Sequence, residues 1–132
     1  MNRILIIQLL LSGIVSGIII FQSFLAAPVA FLFLEKEQSR IFIRKIFPRI
    51  FILLSSIGSI MLILNILTGV ESNWQYIISI VTTSFPLICF FMIPATNNAM
   101  DNNNQKAFKL LHRFSVIFTL LVLLINLLIP FI

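Results

Sequence analysis

Residues 50–67 read IFILLSSIGSIMLILNIL, and residues 36–49 before them read KEQSRIFIRKIFPR. The later stretch carries no charge along its whole length. A helix rising about 1.5 Å per residue crosses the hydrocarbon core of a bilayer with about 20 apolar residues, and a lipid-exposed backbone must satisfy its hydrogen bonds within that helix. Residues 50–67 are therefore read as a membrane span, with Lys36, Arg40, Arg44, Lys45 and Arg49 held in water beside it.

Three further segments have the same character. Residues 4–34 are interrupted only by Gln8, Gln22, three serines and two glycines. This run is longer than a crossing needs, so it should tilt, protrude or bend at Pro28. Residues 74–93 and 110–129 supply the third and fourth spans. Only residues 68–73 lie between the second and third, which demands a tight antiparallel hairpin. The chain of 132 residues is 60% hydrophobic and 10% charged, with a mean hydropathy of +1.13. That balance leaves too little polar sequence for a second, water-soluble domain. The expected fold is all-α: a single four-span domain over residues 1–132, folded as an integral membrane antiparallel four-helix bundle.

Basic loops resist translocation, so orientation follows from Lys and Arg. The loop between spans one and two carries five cations, and that between three and four carries Lys106, Lys109 and Arg113, against Arg3 alone on the other side. Both termini are thus expected outside and the long basic loops in the cytoplasm, as in a bacterial inner (plasma) membrane protein. A cleaved signal peptide, with Arg3 as its basic region and Ala26, Ala27 and Ala30 near the cut, is the rival reading. Its apolar core would be unusually long, and cleavage would leave the most basic loop outside. The net charge of +5 forms no separate basic fold, so anionic lipid headgroups, and not nucleic acid, are the expected partners. Lys36, Arg40 and Arg44 recur every fourth residue opposite Ile43, Ile46, Phe47 and Ile50. This amphipathic helix, with Lys45 and Arg49, either lies at the interface or extends span two into water. The run Asn102, Asn103, Asn104 reads as compositional drift.

Residues that carry chemistry are scarce. Glu35, Glu37, Glu71 and Asp101 all fall in loops, whereas proton pumps and many ion-coupled carriers place ionisable groups inside the membrane. There is no paired carboxylate, glycine-rich phosphate loop or Cys and His cluster at zinc spacing. The lone Cys89 permits no internal disulfide. His112 is the single histidine, and one imidazole does not define a metal or haem site; no metal and no cofactor is expected.

Polar residues within the spans are the remaining clues. Thr82, Thr83 and Ser84 precede Pro86 near the expected midplane, where proline frees the Thr82 carbonyl. This is either a packing kink or a polar step in a transport path, since carriers often bind substrate at interrupted helices. Gly13 and Gly17 stand in GxxxG spacing, with Ser12 and Ser16 one residue behind, and span two holds Ser55, Gly58 and Ser59. Such faces favour helix contacts within or between subunits, so a homodimer or a contact with another membrane protein is expected. Gln8, Asn65, Gln75 and Asn126 all fall toward the outer side. They form either one hydrogen-bonded layer or, the favoured reading, anchors for helix ends near headgroups, where Trp74 and Tyr76 suit an aromatic belt.

The segment at residues 21–34, the motif KIFPRIF at 45–51 and Phe108-x-x-Leu-His-x-x-Ser115 together resemble the transmembrane protein 205-like family, also called domain of unknown function 4149. That family has four spans, with an FPxYF-type motif opening the second and an LHGxS-type motif opening the fourth. Here Ile50 replaces the tyrosine and Arg113 the glycine. The resemblance implies a small membrane protein without an established biochemical activity. With both motifs at the same cytoplasmic edge, Phe47, Pro48, His112 and Ser115 are expected to adjoin one another, locking spans two and four together or lining an opening.

Three functions fit these residues. The first is a structural or accessory membrane protein acting through helix contacts. The second is a transporter or channel for a metal ion or small solute. The third, a haem- or copper-linked membrane redox protein, suffers from the shortage of ligands.

Overall fold

Three of the four apolar runs lie inside helices longer than themselves, and the first is matched by a rod of its own length. The computed structural model describes residues 2–131. Helix α1 (Arg3–Phe21) passes through a π-helical turn (Gln22–Ala26) into α2 (Ala27–Phe33), followed by α3 (Lys36–Thr68), α4 (Asn73–Asp101) and α5 (Gln105–Leu128), which closes on a 3-10 turn (Ile129–Phe131). Four rods result, Arg3–Phe33, Lys36–Thr68, Asn73–Asp101 and Gln105–Phe131, each long and apolar enough to cross a membrane. The protein is an all-helical integral membrane bundle. The expected spans 4–34, 50–67, 74–93 and 110–129 fall within these rods almost entirely, Leu34 alone lying one residue past the first.

The excess length sits mainly at one end, called here the basic end. Residues 36–49 extend span two as one unbroken helix. Pro48 lies inside it and gives no N–H. One residue beyond the carbonyl that proline frees, the Lys45 carbonyl accepts the Arg49 guanidinium at 2.6 Å. In the first rod, Pro28 cannot donate to the Phe24 carbonyl, and the ladder widens just before it. The Ala27 N–H reaches the Gln22 carbonyl, five residues back, which is the π-helical spacing. Where tilt, protrusion or a bend at Pro28 is expected, the structure has a π-helical turn just before the proline.

Polar residues close each connection. At Leu34 and Glu35 the backbone is extended, and the Ser39 hydroxyl donates back to the Ala30 carbonyl at 2.8 Å. Gly69 ends α3 at φ 60° and ψ 43° with its N–H on the Asn65 and Ile66 carbonyls, a left-handed cap that glycine adopts without steric cost. In the third turn Asn103 takes φ 54°, and the Asn104 side chain accepts the Ala107 N–H at 3.2 Å. The asparagines that read as drift therefore shape this turn, because asparagine tolerates the left-handed region and caps helix starts.

The helices pack in a ring: α3 against α4, α4 against α5, and α1 against both α5 and α3. Val15, Ile19, Leu54, Met61, Ile78 and Val122 meet in its core. Phe24, Phe31, Phe33 and Leu67 face outward, as lipid-facing residues should. Lipid tails are as apolar as leucine, so close packing and interhelical hydrogen bonds, not exclusion of water, hold such helices together. The closest approach is at Gly58, where an added Cβ would lie 2.5 Å from the Thr83 nitrogen and 2.6 Å from the Thr82 carbonyl carbon. At the basic end Arg44 grips Asp101 through two bonds of 2.5 and 3.3 Å. Beyond the apolar part of α4, that guanidinium holds the Asp101 carboxyl below its ordinary pKa.

Candidate functional site

At the opposite end, where the α3–α4 hairpin turns, the interior is polar. Asn65 is its hub. Its side-chain oxygen accepts the Gln8 amide at 3.0 Å. Its nitrogen donates to the Ser79 hydroxyl at 2.8 Å and to the Gln75 carbonyl at 3.1 Å. The Tyr76 hydroxyl donates to the Asn65 backbone carbonyl at 3.0 Å, and the Gln8 amide also donates to the Met61 carbonyl at 3.1 Å. Three rods, α1, α3 and α4, are thereby tied at one level. One turn deeper, Asn126 of α5 donates to the Thr82 hydroxyl and to the Val122 carbonyl, both at 2.8 Å.

Gln8 and Asn65 have no exposed surface and Asn126 only 2%, so these amides are interior cross-links and not the headgroup anchors favoured from the sequence. Tyr76 likewise turns its hydroxyl inward. Of the four amides, Gln75 takes part through its backbone carbonyl. The spacing of Gln8, Ser12 and Ser16, four residues apart, places them on one helix face, and that periodicity is the signal that marks the stripe as inward-facing. All three are buried.

The Thr82 to Pro86 segment keeps its helix: α4 runs through Pro86 without interruption. The hydroxyls of Thr82, Thr83 and Ser84 do not fill the break at the proline. Each donates to the carbonyl four residues before it, at 2.7 to 2.8 Å. Ser55 of α3 instead donates across the seam to the Thr83 carbonyl at 2.8 Å. Ser59 back-bonds to the Ser55 carbonyl. Gly13 and Gly17 meet nothing of this chain within 4 Å of an added Cβ; within the bundle the packing face of α1 is the serine face.

At the basic end, the Phe47 ring lies against Phe51 of its own helix, 5.9 Å between centroids. Pro48 is half-buried and His112 exposed. The His112 ring stacks on Phe108, 5.7 Å away and 9° from parallel. The Ser115 carbonyl accepts the Cys89 thiol of α4 at 3.9 Å. Helices α3 and α5 stand at opposite corners of the ring, each packed on α4 and α1. Phe47 and His112 thus find their ring partners within their own helices. Of the cations of 36–49, Arg44 is committed to Asp101 and Arg49 to a backbone carbonyl, while Lys36 and Lys45 are exposed and Arg40 half-buried. Among the described residues no group of three or more His, Cys, Asp or Glu side chains converges as a metal site would require.

A family model described as a domain of unknown function, DUF4149, matches residues 10–105. The chain belongs to that family. The DUF4149 match takes in most of α1 and all of α2, α3 and α4, and so includes the KIFPRIF motif and the Asn65 hub. It stops at Gln105, the first residue of α5, so the segment with His112 and Ser115 lies outside it. No curated protein and no solved structure matches the chain.

Proposed function

We propose that this DUF4149 protein is an accessory membrane protein that acts through contacts between helices. The observation that carries the reading is the open face of α1. Gly58, the small residue of α3, is used up within the bundle, whereas Gly13 and Gly17 have open space above them. Two glycines four residues apart let a second helix backbone approach closely, the contact on which membrane helices associate. The occupant is a second copy or a helix of another membrane protein.

The transport alternative gains most from a broken helix at the bilayer midplane, and α4 is continuous through Pro86. The Lys and Arg imbalance supports a topology with the basic end in the cytoplasm, both termini outside, and Lys36, Lys45 and their neighbours on anionic headgroups of a bacterial inner membrane. The test is crosslinking in native membranes of the wild type and of Gly13→Leu with Gly17→Leu. A Cβ at either position meets nothing of this chain within 4 Å and starts from the outward face, so the monomer fold is expected to persist while the crosslinked species disappears. An unchanged crosslinking pattern refutes the reading.

A further inference from the structure

The inward face of α1 carries polar groups that the rest of the bundle leaves unpaired. Nine serines and threonines of α3, α4 and α5 donate to the carbonyl four residues back. This is the usual resort of a hydroxyl inside a helix. Ser12 and Ser16 do not take it: their oxygens have no partner although the residues are only 1% and 5% exposed. Gln8 Oε1 and Asn126 Oδ1 are also unpaired. Neither amide can be turned over to hide its oxygen, because each nitrogen already donates to a backbone carbonyl, of Met61 and Val122 respectively, which an oxygen would repel.

These groups share a neighbourhood. Gln8 and Ser79 both bond to Asn65 and so mark one level. From there Ser12 lies four residues deeper along α1 and Thr82, the partner of Asn126, three residues deeper along α4, about 6 and 4.5 Å. Ser12 and Asn126 therefore stand at nearly the same depth on α1 and α5, two helices in contact. A buried polar group left without a partner is costly in hydrocarbon, and Gln8, Ser12 and Asn126, with Ser16 one turn further along α1, call for ligands of one kind.

Their chemistry follows from what is unpaired. Two carbonyl-type oxygens need a donor, and two hydroxyls need an acceptor for their protons. The ligand must do both, be neutral in a network with no carboxylate, and fit beside serine-sized side chains. We propose that the α1 seam is an internal hydration site, in which ordered water donates to Gln8 Oε1 and Asn126 Oδ1 and bridges them to the Ser12 and Ser16 hydroxyls. A monovalent cation would answer the oxygens but not the hydroxyl protons. This site is independent of the outer glycine face.

The test uses the full chain in lipid nanodiscs, isotopically labelled, with water itself as the probe. Magnetisation transfer from water to the side-chain NH2 groups of Gln8 and Asn126 should exceed that to the backbone amides of Val15 and Val122 several-fold. Transfer no stronger than at Val122 overturns the proposal, as does its suppression when choline is replaced by sodium or potassium, which would identify a cation. A second measurement gives a sign. Were the seam dry, Ser12→Ala with Ser16→Ala would remove unpaid polar groups and raise the thermal midpoint. With water bridging them, the midpoint falls by a few degrees.

Discussion

The α3–α4 seam and the α1 seam use similar residues to opposite ends. Between α3 and α4, Gly58 brings the backbones together, Ser55 donates across the gap, and the threonines of α4 bond to their own helix. Along α1 the glycines turn outward, and the serines behind them face the interior without partners. Small residues alone therefore do not make a tight joint between membrane helices. The joint is tight where each hydroxyl finds a partner and a glycine faces the neighbouring backbone, and open where neither holds.

The largest contrast should come from the glycines. Gly58→Ala pushes a methyl group into the backbone of Thr82 and Thr83 and should cost about 3 kcal/mol, at the upper end for overpacking. The same change at Gly13 or Gly17 meets open space and should stay within about 0.5 kcal/mol of wild type. Reversible unfolding in detergent measures both, and equal losses at the three positions would break the comparison.

Asn65→Ala comes next. It withdraws the partner of Gln8 and Ser79 together and should cost about 1–3 kcal/mol, since buried polar groups are left unsatisfied. Loss of the Gln8 contact should also free α1 selectively, seen as faster amide exchange in α1 than in α3 or α4. Ser55→Ala removes a single bond to the Thr83 carbonyl. Such interhelical bonds average about 0.6 kcal/mol, so the shift in unfolding midpoint should be the smaller of the two.

The smallest effect belongs to the basic end. Arg44 depresses the Asp101 pKa below its ordinary 3.8, so the folded state binds that proton more weakly than the unfolded chain. Their pairing contributes its full stabilisation above that ordinary value and loses it as pH falls through the lowered one. In wild type the acid limb of a stability profile should carry this step, and Arg44→Gln should flatten it without altering stability changes above pH 5.

Much of this was legible in the sequence, and the rest was hidden for definite reasons. The apolar runs and the short 68–73 link fixed four helices and their antiparallel order, because hydrocarbon thickness sets a minimum length that composition reveals. Helix ends were less visible. Residues 36–49 and 94–101 continue their helices past the apolar stretch, and hydropathy measures contact with lipid, not helical backbone. The amides were recognised as lying toward one side, but depth says nothing of direction around the axis. The four-residue spacing of Gln8, Ser12 and Ser16 held that direction, and the neighbouring GxxxG pattern drew attention to the wrong face for packing inside the bundle. Phe47 and His112 shared an edge in the sequence reading; which corner of a ring a helix occupies is a property of the assembled bundle, to which linear spacing is blind.

The π-helical turn at Gln22–Ala26 also acts as a phase slip. It holds one residue more than a regular ladder would, so every position after it is rotated by about 100°. Ala30 owes to that slip the angle at which its carbonyl meets the Ser39 hydroxyl. Excising any one residue from the turn would remove that surplus, restore an ordinary helix and leave residues 27–33 on the faces they now occupy. Tightening the turn to a regular ladder without a deletion would instead rotate those residues by about 100° and carry Ala30 away from Ser39, while the Gln8, Ser12 and Ser16 stripe upstream would keep its heading.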